Sequence, residues 1–212
     1  DDGPWVYLYD VSKALVAAGA VGTFFSSEKF ACSYNTDEQK HVKYAYAHGH
    51  MIASHTGAHL DLTTSMWDEI HDQMWRVEQA LQRIIGVTPA FMRPPYRNCN
   101  DLVRQASYLR NQSVVLWDFE WITSGDSTGS TVAQSKALYD GFIKSHPKNL
   151  LALQHETYVS HQLLPSAIAK LQGAGYKLVT LATYLGLLAY HSVGTPGTPD
   201  VCRDRVFRSI FF

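Results

Sequence analysis

The chain has 212 residues, 46% of them hydrophobic and only 17% charged, enough apolar material for one sizeable core and too much for a disordered segment. A formal net charge of −1, from 18 basic and 19 acidic residues, gives no electrostatic ground for nucleic acid or an anionic membrane as main partner and points to a near-neutral ligand. No run approaches the roughly 18 consecutive apolar residues of a membrane span, and Cys32, Cys99 and Cys202 are scattered, with no C-x-x-C pair to suggest a zinc ribbon or thioredoxin-like site.

The first four residues are Asp1-Asp2-Gly3-Pro4, two carboxylates followed by ordinary turn chemistry. From Trp5 to Ala18, Val6, Leu8, Val11, Leu15 and Val16 fall near helical spacing, with Gly19 as the stop. Gly22-Thr23-Phe24-Phe25 is short, β-branched and aromatic, which predicts a buried strand. Asp37 to Ala47 reads as a helix ended by Gly49, and His50 to Ser54 as the next strand. Ser65 to Ile85 is the strongest helix, striped by Ile70, Met74, Val77, Leu81, Ile84 and Ile85. Ser65 and Asp68 resemble a capping box at its start, and Gly86 closes it. The alternation continues: strand near Ala90 to Met92, helix Asp101 to Leu109, strand Ser113 to Trp117, helix Thr131 to Lys144. Strand Leu150 to Leu153, helix Leu163 to Leu171 and strand Tyr176 to Leu181 complete it. This pattern predicts an α/β fold with parallel strands, one domain over residues 1–188, then a turn-rich tail over 189–212.

The chemically capable residues fall just after strands, at the carboxyl edge where parallel α/β folds build their sites. His55 and His59 follow the second strand, Arg93 to Tyr96 the third, Asp118 and Glu120 the fourth, and His155 the fifth. The imidazoles of His55-Thr56-Gly57-Ala58-His59 lie on one side of a helical turn and can fill two corners of a metal's shell, with Asp1-Asp2 as the nearest suggestive anionic group. The spacing alone fits two unrelated loop histidines equally well, and Asp-Gly-Pro alone fits a solvated turn. In Arg93-Pro94-Pro95-Tyr96 the prolines fix φ and remove donors, leaving the Tyr96 N–H unconsumed by the turn. A strand end accounts for Trp117 to Trp121 as readily as a function does, and His155, taken alone, fits a satisfied strand-end histidine.

Taken in order, Asp1-Asp2-Gly3-Pro4, Gly22-Thr23-Phe24-Phe25, Ser54-His55-Thr56-Gly57-Ala58-His59, Arg93-Pro94-Pro95-Tyr96 and Leu153-Gln154-His155-Glu156 resemble the successive motifs of the polysaccharide deacetylases with a NodB-type domain, carbohydrate esterase family 4. The likeness runs from Asp1 to about Leu188 and looks most like the fungal chitin deacetylases. It implies a distorted (β/α)7 barrel, whose missing first strand is expected just before Asp1, so the chain is expected to be a fragment of a longer one. Residue by residue, it implies that Asp2, His55 and His59 hold a divalent metal, zinc in the usual case and cobalt as the alternative. Asp1 would be the general base, Arg93 its orienting partner, the Tyr96 N–H the oxyanion donor and His155 the acid that protonates the departing sugar amine. Glu120, with Asp118 in second place, would hold the catalytic histidine.

The reaction so implied is hydrolysis of a linear amide: N-acetyl groups leave chitin or its oligomers as acetate, through a secreted or cell-wall enzyme acting as a monomer. Acetylxylan or peptidoglycan as substrate, and a catalytically impaired carbohydrate-binding relative, are the competing readings. The sequence departs from the family at Glu120-Trp121-Ile122-Thr123-Ser124, where a second acid and a groove tryptophan are not at their usual places, and Trp121 is the candidate substitute. Glu156 stands where Asp is more usual, and Leu8 where many members have Thr. Cys32 and Cys99, both in loops after strand ends on the active-site side, are the expected disulfide, with the partner of Cys202 expected in the missing segment. Asn111-Gln112-Ser113 is a glycosylation sequon that suits a secreted setting.

Overall fold

The computed structural model describes residues 1–117 and 129–202. In chain order the elements are α1 (Leu8–Ala17), β1 (Thr23–Ser26), α2 (Thr36–Ala47), β2 (Met51–Ser54), α3 (Trp67–Ile85), β3 (Val87–Pro89), β4 (Phe91–Met92), α4 (Asp101–Leu109), β5 (Ser113–Val114), α5 (Val132–Ser145), α6 (Tyr158–Gly173), α7 (Leu181–Leu185) and β6 (Tyr190–Val193). Strands β1, β2, β4 and β5 pair in that order, all parallel, and β3 and β6 form a separate antiparallel pair. This is the α/β class that the alternation predicts.

Strand β2 is an uncharged run, Met-Ile-Ala-Ser, and all four residues are buried, as a central parallel strand requires. Helix α3 buries all six residues of its predicted stripe. Its C-terminal half joins Ile52 of β2 and Val42 of α2, while Ile70 and Met74 join Met92 of β4 and Val103 of α4. Each such side chain contributes roughly 1.5–3 kcal/mol on burial, so one helix fixes the two strands whose carboxyl ends carry the histidines and Arg93.

The start of α3 differs from prediction. Met66 is its N-cap with no side-chain cap, because Ser65 already closes the 3₁₀ turn Leu62–Thr64, donating its N–H to the Leu62 carbonyl at 3.2 Å. A capping box does form at α5, between Thr131 and Gln134. Strand β5 stops at Val114 rather than Trp117, and no strand covers 150–153 or 176–181 among the described residues. Leu150, Leu151 and Ala152 instead share the lining of a cavity of about 650 Å³ with Thr23, Phe24 and Phe25. The apolar run therefore lines a cavity beside β1 and takes no part in the sheet. At Leu181, Thr180 caps α7 by accepting from the Thr183 N–H, so the last predicted strand ends as a helix begins.

The segment beyond Leu188 opens with β6, which pairs Val193 with Val87 and Ser192 with Thr88. Gly86 permits this approach: its φ is +75°, and a Cβ there would lie 2.2 Å from the Gly194 carbonyl oxygen. The chain then runs back along α3, where Asp200 pairs with Arg83 at 2.8 Å, and Cys202 forms a disulfide with Cys32. That corrects the Cys32–Cys99 expectation: Cys99 is a free thiol, and the partner of Cys202 lies within this chain. The return of the tail along α3 decides the pairing, and local spacing carries no record of it. Peptide mapping without reduction is expected to yield linked Cys32 and Cys202 peptides and an alkylated Cys99; a Cys32–Cys99 peptide would refute the pairing.

Candidate metal and catalytic site

Three turns meet at the carboxyl edge of the sheet. After β2, Thr56 and His59 both take left-handed backbone angles (φ 69° and 55°), which coil the chain and set His59 beside His55. The Gly57 and Ala58 N–H groups donate to the carbonyl and Oε1 of Gln73 on α3, at 2.8 and 2.6 Å, holding the coil against the helix. The loop after β1 joins this turn to the Asp2 turn: Ser27 N–H donates to the Gly3 carbonyl (2.7 Å), and Glu28 N–H to the Gly57 carbonyl (2.7 Å). Of seven non-glycine residues with positive φ among the described ones, Asp2, Thr56, His59, Tyr96 and Arg97 all lie here. Each costs of order 1–3 kcal/mol, and such strain gathers where a site over-determines the backbone.

Asp2, His55 and His59 are buried, and their ligand atoms lie within 4.8 Å of one another. The Oδ1 of Asp2 is 3.4 Å from His55 Nε2 and 3.2 Å from His59 Nε2. His55 Nδ1 lies 2.7 Å from the Arg93 carbonyl, which can only accept, so the proton sits on Nδ1 and the Nε2 lone pair faces Asp2. Burial pushes both histidines below their ordinary value despite the opposing pull of Asp2, which keeps them neutral at pH 7. Burial also pushes the Asp2 carboxyl up, but the adjoining His55 and His59 rings and the Lys29 ammonium hold it well below the usual carboxylate range. The result is a buried oxygen, Asp2 Oδ1, with no hydrogen-bond donor, pressed against a lone pair. A divalent cation answers that arrangement, and one carboxylate with two neutral imidazoles is a zinc-type donor set.

Beside this cluster, Arg93 Nη1 donates to Asp1 Oδ1 at 2.9 Å, and both side chains are 3% exposed. Burial pushes Arg93 down to about 9, and its guanidinium lies 4.1 Å from the Phe25 ring centroid. The other Asp1 oxygen faces His55 Nε2 at 3.8 Å. The Asp1 nitrogen donates to the Gln154 carbonyl (2.6 Å) and the Glu156 N–H to the Asp1 carbonyl (3.1 Å), a parallel-type bridge that sets His155 alongside Asp1. His155, Asp1 and Arg93 all line the 650 Å³ cavity. Tyr96 has φ 58°, lays its ring edge-on to His59 at 4.8 Å, and its N–H takes no acceptor among the described residues. The structure thus gathers Asp1, Asp2, His55, His59, Arg93, Tyr96 and His155; Glu120, with Asp118 and Trp121, lies outside the described residues.

Ser27, Glu28, Lys29 and Gln73 are missed by the sequence reading. The polar run Ser26-Ser27-Glu28-Lys29 directly after a buried strand was the available signal, as was a glutamine that α3 buries on its apolar face. Glu156 is noticed only as a departure. Its Oε2 accepts from Trp5 N–H (3.0 Å) and its Oε1 from Tyr7 and Leu8 N–H (2.9 Å each), so it seals the N-terminus of α1. Gly3 leaves room for this carboxylate: a Cβ there would lie 2.0 Å from Glu156 Oε2 and force it to shift.

Fold and site define a parallel α/β domain with an Asp-His-His cluster at its carboxyl edge, next to an arginine-held carboxylate. A polysaccharide deacetylase profile matches residues 1–111, just over half of the chain, and the chain belongs to the polysaccharide deacetylase family. A chitin deacetylase from Pestalotiopsis sp. is 30% identical over 194 residues, covering 88% of this chain and 62% of that protein. The chain therefore spans less than two thirds of that relative. The solved chitin deacetylase of Colletotrichum lindemuthianum matches with a TM-score of 0.80 at 23% identity, over 89% of this chain and 85% of that one. A CE4 family pseudoenzyme from Bacillus anthracis shares the fold at a TM-score of 0.74 and 18% identity, over 87% and 63% of the two chains. Fold alone therefore does not separate an active member from an inactive one, and the side chains must.

Proposed function

We propose that this chain is a metal-dependent hydrolase that removes N-acetyl groups from N-acetylglucosamine polymers, chitin foremost, and releases acetate. The observation that carries this is the buried Asp2 Oδ1 without a donor, facing two imidazoles, with an arginine-held Asp1 beside it. Asp2, His55 and His59 would hold the ion, zinc by preference. A bound divalent ion polarises a carbonyl and lowers the pKa of water towards neutrality.

Asp1 takes the proton from the attacking water as the new C–O bond forms at the acetyl carbon. Arg93 keeps that carboxylate turned towards the site. The Tyr96 N–H donates to the oxyanion. His155 then protonates the sugar nitrogen as the C–N bond breaks, so acetate and a free amine leave. One chain supplies every group, which supports action as a monomer. The Cys32–Cys202 disulfide supports an oxidising, extracellular or cell-wall setting. Among the described residues no helix is long and apolar enough to cross a membrane. Named relatives act on chitin and on peptidoglycan, and the N-acetylglucosamine amide is common to both polymers.

Calorimetry is expected to show one equivalent of zinc, and N-acetylated chitooligomers to yield acetate. Chelation should stop that release and zinc restore it. Acetate release at an unchanged rate after complete metal removal would refute the mechanism. Acetate from peptidoglycan or acetylxylan with none from chitin would refute the substrate.

A further inference from the structure

The two oxygens of Asp2 are divided between different partners. Oδ1 points to His55 and His59, while Oδ2 takes the Lys29 ammonium at 2.6 Å. Lys29 is about a third exposed, at 34%, so its charge reaches the buried carboxylate from the solvent side. Its position is prepared: the Lys29 N–H donates to Ser27 Oγ at 3.2 Å, and Nζ lies 5.2 Å over the Phe30 ring, which packs against Trp5 at 5.8 Å. The same loop is tied at its far end by the Cys32–Cys202 disulfide. Each acid of the site therefore has its own cation, Arg93 for Asp1 and Lys29 for Asp2.

We propose that Lys29 is a positioning residue that holds Asp2 to one-oxygen ligation and weakens metal binding in exchange for open positions on the ion; this rests on the metal-site reading above. A carboxylate free at both oxygens can chelate an ion with both. With Oδ2 occupied, Asp2 contributes one ligand atom and the histidines two more, leaving room for water and a substrate carbonyl. The ammonium also repels the incoming dication, so the site binds less tightly than its three ligands allow.

The test measures zinc affinity by chelator competition on the full chain, for the wild type, Lys29→Met and Lys29→Arg, and records the visible spectrum of each cobalt-loaded protein. Lys29→Met is expected to bind zinc about tenfold more tightly, the scale of one ammonium facing a divalent ion through hydrated protein. Its cobalt bands are expected to lose intensity as Oδ2 joins the shell. Lys29→Arg keeps the charge and a donor and is expected to stay within about threefold of wild type. Lys29→Gln, uncharged but still a donor, repeats the comparison should the methionine variant not fold, and the same tighter binding is expected. Unchanged or weaker zinc binding by a folded uncharged variant overturns the proposal, as does Lys29→Arg behaving like Lys29→Met. A wild type that binds no zinc overturns the metal-site reading instead.

Discussion

Replacing Asp1 by asparagine is expected to lower kcat by about a thousandfold, the middle of the range for removing a general base, while zinc binding persists. Asparagine keeps an oxygen for Arg93 to donate to at the present 2.9 Å contact, so the buried guanidinium stays hydrogen-bonded. It cannot take a proton from water. KM should change little, because the side chain is asked to act only in the transition state. His55→Ala is the matched control: it removes a ligand and is expected to lose zinc and acetate release together. Zinc calorimetry and initial rates on both variants separate the roles. An Asp1→Asn protein that binds zinc and deacetylates at the wild-type rate would remove Asp1 from the mechanism.

The parts of this site that could be read in the sequence are those whose geometry is local. His55 and His59 come together through one short coil of backbone, and Arg93 lies two residues from Pro95 on a turn that the prolines stiffen. Their common edge follows from parallel strands, which put successive carboxyl ends side by side. What stayed hidden depends on segments far apart in the chain. The Lys29 contact with Asp2 spans 27 residues, the Glu156 seal on α1 about 150, and the Cys32–Cys202 disulfide 170. None leaves a spacing that can be recognised, because each depends on how the chain returns. Leu150 to Leu153 shows the same limit in another form. Its apolar run was legible, but a strand also needs a hydrogen-bonded neighbour, and here the run lines a cavity instead.

Glu156 is expected to make a large contribution to stability. Its carboxylate accepts from three backbone N–H groups at the start of α1, all from residues about 150 positions away, and no other cap serves that end. Glu156→Ala leaves those three donors without an acceptor, each at roughly 1–3 kcal/mol. The Trp5 and Tyr7 donors are only partly buried, so water can reach them. A loss in the lower part of the summed range, about 3–6 kcal/mol, is therefore expected in urea unfolding, a large share of a typical domain's 5–15 kcal/mol. The same residue sets a pH dependence. Burial outweighs the hydrogen bonds from Tyr7, Leu8 and Trp5 and raises the Glu156 pKa from 4.5 to about 7. Between those values the folded protein binds more protons than the unfolded chain, so the contribution of this group to stability falls as pH rises from about 4.5 to 7 and is flat on either side. The fall is of order 3 kcal/mol. Glu156→Gln removes the titration, so the wild type minus the variant isolates the effect from every other group. Unfolding free energies at pH 4.5, 6 and 8 are expected to give a difference that shrinks with rising pH in favour of the variant. Parallel profiles for the two proteins would show that Glu156 is ionised across the whole range, held there by the three N–H groups and the positive end of α1.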